Sequence, residues 1–113
     1  MNLSFGDIVL INFDPSTGRE FKKIRPAIFL QDPQVSKYSP YLTVMPISTK
    51  IQNFGPQDVF IPKDHKNKLV SDSVIRVHQI SSFDRRRFIK IIGNANSPVI
   101  RKVRGYLRKH FGM

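Results

Sequence analysis

Cysteine is absent from the 113-residue chain, which rules out disulfides, thiolate catalysis and Cys-ligated zinc. The absence fits a reducing compartment. Long apolar runs are also missing. The longest, Ile8–Ile11 and Ala27–Leu30, hold four residues each, too few for a signal-peptide core or a membrane span. These absences lead us to expect a soluble, cytoplasmic protein. Acidic residues number only eight and are scattered singly, and His65, His78 and His110 lack ligand-like spacing. Metal-dependent nuclease chemistry therefore has little to build on, and no metal or cofactor is expected. No repeat, low-complexity tract or long linker divides the chain. At 13.1 kDa, residues 1–113 read as a single domain with one modest core.

What the chain does have is positive charge, unevenly placed. Residues 1–64 hold seven Lys/Arg against six Asp/Glu, whereas residues 65–113 hold twelve against two. The net values are +1 and +10, which together give the overall +11. Such asymmetry favours a polyanionic partner, nucleic acid or an acidic polypeptide, although a solvated, colloidally stable surface is the plainer reading.

Apolar runs bounded by Gly, Pro and Asn predict six short strands: Ile8–Phe13, Arg25–Gln31, Tyr41–Ile47, Asp58–Ile61, Asp72–Ile80 and Phe88–Gly93. The continuous apolar character of the first suggests burial on both faces. Lys50–Gln57 reads as a mobile loop and Asp84–Arg87 as a basic turn. Helical spacing appears only in the tail, where Ser97 is the expected N-cap and Pro98 the first helical residue. Val99, Val103, Tyr106, Leu107 and His110 then share one side. Gly105 costs that helix about 1 kcal/mol relative to alanine, a cost that close packing on the sheet would justify. The pattern as a whole predicts a mainly β fold with a C-terminal helix, as a strongly bent sheet or partly open barrel.

Several groups could act on a phosphodiester. Arg76 and His78 sit two apart in a predicted strand and would share a face, with Cα atoms about 6.5–7 Å apart. A guanidinium and an imidazole side by side can grip an anion and exchange a proton; an ordinary outward polar face is the alternative. Arg25 precedes Pro26, which biases its backbone to an extended form at the junction of loop and strand. Its charge suits a pentacoordinate phosphorane, unless it simply pairs with Glu20 or Asp14. Ser48 and Thr49 end the third strand beside Lys50, where a hydroxyl can meet a phosphate or close its own turn. Lys22, Lys23 and Lys50 are suited to sequence-independent backbone contacts. Arg, His and Ser are the groups needed when the substrate's own 2′-hydroxyl attacks phosphorus, a route open to RNA and closed to DNA.

In order along the chain, Gly6-Asp7-Ile8-Val9, the loop Asp14-Pro15-Ser16-Thr17-Gly18-Arg19-Glu20, Arg25-Pro26, Pro46-Ile47-Ser48, and Asp72-Ser73-Val74 leading to Gln79 resemble the MazF/PemK/Kid family of toxin endoribonucleases. The resemblance runs from about Gly6 to the final helix. It implies a small SH3-like, partly open barrel of the CcdB/MazF type and a homodimer. It further implies cleavage of single-stranded RNA to a 2′,3′-cyclic phosphate and a 5′-hydroxyl, and neutralisation by an acidic antitoxin in the RNA groove. Arg25 and Ser48 fall on the family's catalytic arginine and threonine, and Arg76 and His78 on a catalytic arginine and aspartate of the Kid branch. Glu20, Lys22, Lys23, Thr49, Lys50 and Gln79 make up the expected RNA-binding set. The chain departs from the pattern with serine for threonine at 48, imidazole for carboxylate at 78, and Arg19 where Kid has histidine. Two other functions remain open: a non-catalytic nucleic-acid-binding barrel, and a gyrase poison resembling CcdB.

Overall fold

A computed structural model describes residues 2–13 and 24–113. The Asp14–Lys23 segment, with Glu20, Lys22 and Lys23, lies outside the described residues. Strand β1 (Asp7–Asn12) is followed by β2 (Ile24–Phe29), a short helix α1 (Pro33–Ser36) and β3 (Tyr41–Ser48). Then come β4 (Val59–Ile61), β5 (Ser73–Ile75), β6 (Ser81–Asp84), β7 (Phe88–Asn94) and helix α2 (Ser97–Phe111). The sheet is antiparallel and open, ordered β4-β5-β3-β2-β1-β7, with β6 also paired to β3. The mainly β architecture with a C-terminal helix is as the sequence predicts.

Two apolar layers sit on opposite faces of the central strands. Ile8, Ile28, Met45 and Ile47 face one way, together with Val99 and Val103 of α2. Val9, Ile11, Ala27, Phe29 and Val44 face the other. This is why β1 and β2 read as unbroken apolar runs: alternation vanishes when both faces are buried. Two register shifts in the β1–β7 pairing and a change of partner along β3 curl the sheet. The first half of β3 pairs with β6 and its last residues with β5. Pro46 stands in this stretch and brings no N–H to the ladder, while its carbonyl accepts from Arg76 N–H at 3.0 Å.

The structure differs from expectation at several points. The predicted strand Asp72–Ile80 ends at Ile75; a 3-10 turn spans Val77–Gln79, and β6 follows. Asp32 caps the brief α1, a helix outside the predicted elements, its carboxylate accepting from Gln34 N–H at 2.8 Å. Asn96, one residue before Ser97, caps α2 by accepting from Val99 N–H at 3.1 Å. His110 is exposed, whereas Val99 and Val103 are buried, worth about 1.5–3 kcal/mol each. A Cβ at Gly105 would meet nothing within 4 Å, so close packing does not explain that glycine. Gly6 does need to be glycine: its φ is +95°, and a Cβ there would fall 2.6 Å from Ile100 Cδ1.

Candidate active site

The β2–β3 register pairs Ala27 with Pro46. Carried two residues further, it sets Arg25 across from Ser48 on the same face of the sheet. A groove of about 610 Å³ opens there, lined by Arg25, Ser48, Lys50, Arg76, His78 and Gln79 among its polar residues. Phe13, Ile47, Ile80 and Phe83 supply apolar wall, with the Phe13 and Phe83 rings edge to face at 5.0 Å. Six of the ten residues singled out from the sequence thus come together from three stretches of chain. Thr49 is exposed outside the lining, and Glu20, Lys22 and Lys23 fall in the undescribed segment.

Each side chain is placed by a local device. Arg25 is half-buried near the start of β2, where the following proline favours extended backbone. Ser48 ends β3, and its Oγ accepts from Lys50 N–H at 3.0 Å. The hydroxyl therefore closes its own turn, the second of the two readings the sequence offered, and that bond does not use its proton. His78 and Gln79 ride on the 3-10 turn after β5 and are exposed.

Arg76 corrects the sequence reading. It was expected beside His78 on an outward strand face, but it is buried, and the turn that begins at Val77 cancels the two-residue strand periodicity. Its Nη1 donates to Asp58 Oδ2 at 2.6 Å and to the Asn53 carbonyl at 2.7 Å, and its Nη2 to the Lys50 carbonyl at 2.9 Å. Asp58 Oδ2 also accepts from Gly55 N–H at 2.9 Å. The segment read as a mobile loop is thus tied down at Lys50, Asn53 and Gly55 by one buried ion pair, and it contains a 3-10 turn over Ile51–Asn53.

Asp58 is the residue the sequence reading missed. Its side chain is 2% exposed, and its other oxygen, Oδ1, lies 3.7 Å from His78 Nδ1. The available signal was a lone carboxylate between a Gly-Pro turn and an apolar strand in a chain short of acids. Elsewhere, hydrogen bonds from the Arg86 side chain and backbone hold the Asp84 carboxyl down at about 2, away from the groove. Among the described residues no three His, Asp or Glu gather as metal ligands.

A family model described as "PemK-like, MazF-like toxin of type II toxin-antitoxin system" matches residues 4–111. The chain belongs to this family. Within it, the endoribonuclease MazF of Staphylococcus saprophyticus subsp. saprophyticus is 39% identical over 83 residues, 73% of this chain and 68% of that protein. MazF of Deinococcus radiodurans superposes with a TM-score of 0.81 at 26% identity, covering 100% of this chain and 99% of that one. The D. radiodurans MazE–MazF complex shares the fold, with a TM-score of 0.78 at 23% identity over 100% and 98% of the two chains. The resemblance carried by the ordered motifs is borne out, as is the fold it implies.

Proposed function

We propose that this family member is an endoribonuclease toxin of a type II toxin–antitoxin system, cleaving single-stranded RNA through the substrate's own 2′-hydroxyl. The observation that carries the reading is the convergence of Arg25, Ser48 and His78 on one groove of a chain with net charge +11. In this reaction the 2′-oxygen loses its proton to a base and bonds to phosphorus. The P–O5′ bond then breaks, and a proton goes to the departing 5′-oxygen, leaving a 2′,3′-cyclic phosphate and a 5′-hydroxyl. Arg25 stabilises the charge that gathers on the phosphorane, a contribution of the kind worth several kcal/mol where donors are preorganised. Ser48, accepting from Lys50 N–H, donates to a non-bridging oxygen and orients the phosphate. His78 is the acid–base group.

Arg76 acts by holding the Lys50–Asp58 segment rather than by gripping phosphate, since three of its hydrogen bonds are made within the protein. Lys50 and Gln79, with Thr49 and, from the segment outside the described residues, Glu20, Lys22 and Lys23, contact the RNA chain. The molecule works as a single domain, in the cytoplasm, as a homodimer, and an acidic antitoxin neutralises it by occupying the same cationic groove. Among the described residues no helix is long and apolar enough to cross a membrane.

Mixed single-stranded RNA incubated with the purified protein in EDTA tests the reading. Cuts ending in 2′,3′-cyclic phosphate, abolished by a 2′-deoxy substitution at the scissile nucleotide, are the expected result. RNA that is bound but never shortened would make the protein a non-catalytic binder. Continued cutting of the deoxy substrate would assign the attack to water.

A further inference from the structure

Asp58 Oδ1 is buried and has no hydrogen-bond partner among the described residues, an uncommon state for a carboxylate oxygen in a basic protein. The other oxygen is saturated by Arg76 Nη1 and Gly55 N–H. Nδ1 of His78 lies 3.7 Å from Oδ1. The carboxylate is held rigidly from behind, while the imidazole is 58% exposed and has room to move the remaining fraction of an ångström to hydrogen-bond distance. Among the described residues, the other charged groups of the groove are cationic: Arg76 on the far oxygen, and Lys50 and Arg25 in the lining.

We propose that Asp58 is a positioning residue for His78, its Oδ1 accepting the Nδ1–H of the imidazole so that Nε2 is the nitrogen turned to the groove. Which ring nitrogen carries the proton of a neutral histidine is set by the hydrogen bond the other partner demands. An ionised carboxylate only accepts, so it selects the Nδ1–H tautomer and leaves Nε2 as the lone-pair nitrogen. The proposal rests on the ribonuclease reading for its consequence, namely that Nε2 takes the 2′-hydroxyl proton, but the geometry itself is open to measurement without RNA.

The substitution Asp58→Asn makes an unusual prediction. Arg76 and Gly55 N–H are both donors, so the amide oxygen of the new side chain must face them. Its NH2 then points at His78 Nδ1, which must become an acceptor, and the tautomer inverts. Nitrogen-15 NMR of histidine-labelled protein, at a pH where His78 is neutral, reads this directly. The expected result is Nδ1–H in the natural protein and Nε2–H in D58N. Nε2–H in the natural protein, or Nδ1–H persisting in D58N, overturns the proposal. If D58N does not fold, the natural protein's tautomer alone decides.

Cleavage kinetics separate the two levels of the argument. Loss of the acid–base group should lower kcat in D58N by about 10²–10⁴-fold with KM little changed, because Asp58 does not touch substrate. An inverted tautomer with unchanged kcat upholds the positioning and removes His78 from the reaction. Absence of cleavage by the natural protein would sink the ribonuclease reading and leave the tautomer result standing.

Discussion

In the proposed reaction Ser48 and Arg25 do different jobs, and each is placed by its near neighbours in the chain. The Ser48 oxygen accepts from Lys50 N–H, and in the proposed reaction its O–H donates to a phosphate oxygen. Arg25 is aimed by the proline after it, which narrows its backbone before any tertiary contact forms. Both devices are local, which is why both residues could be singled out from sequence. Arg76 was visible as a residue type, but its surroundings were not: Asp58 and Asn53 lie 18 and 23 positions away. Arg25→Ala should abolish RNA cleavage while leaving the unfolding midpoint close to that of the natural protein, since a half-buried arginine at a strand start contributes little core. Natural-level cutting by R25A would leave the phosphorane without its cation and the mechanism without its centre.

Among the elements, the Lys50–Asp58 segment and α2 make contrasting claims on stability. The segment is closed by a buried ion pair whose carboxylate also takes a backbone N–H. Breaking such a pair from one side leaves an uncompensated charge and costs about 3–5 kcal/mol. Arg76→Ala should therefore lower the urea midpoint strongly, and cleavage with it. A loss under about 1 kcal/mol, the range of a surface ion pair, would return Arg76 to the role of solvent-facing phosphate ligand. In α2, Gly105 pays for no contact, since a Cβ there enters open space. Gly105→Ala should stabilise the protein by up to about 1 kcal/mol, seen as a raised unfolding midpoint with cleavage unchanged; destabilisation would reveal a packing partner for that helix face.

Over the whole molecule, the charge of +11 governs how the groove meets its substrate. Binding to single-stranded RNA should weaken with salt, log K falling by about 0.7 per phosphate contact for each unit of log salt. Lys50→Gln should reduce that slope by about 0.7 and weaken all sequences alike. A change in cut-site preference with no change in slope would instead make Lys50 a reader of bases. The same cationic field would draw in an acidic antitoxin, so antitoxin binding and RNA binding should show parallel salt dependence.

Apolar periodicity and turn residues were sufficient to find five of the seven strands near their observed bounds and the terminal helix, and charge favoured a polyanionic partner, because each arises from neighbours along the chain. Strand β6 was not foreseen, its residues falling between a strand drawn too long and a basic turn. Where a strand would stop was harder to see. The end of β5 at Ile75 depends on Arg76 turning inward to carbonyls and a carboxylate supplied from the distant Lys50–Asp58 segment. The Asp58–His78 approach arises in the same way, from two segments that only the curled sheet brings together. Long-range pairing of this kind leaves no local periodicity, so the tertiary structure alone decided which of the basic residues line the groove and which of them is buried in an ion pair behind it.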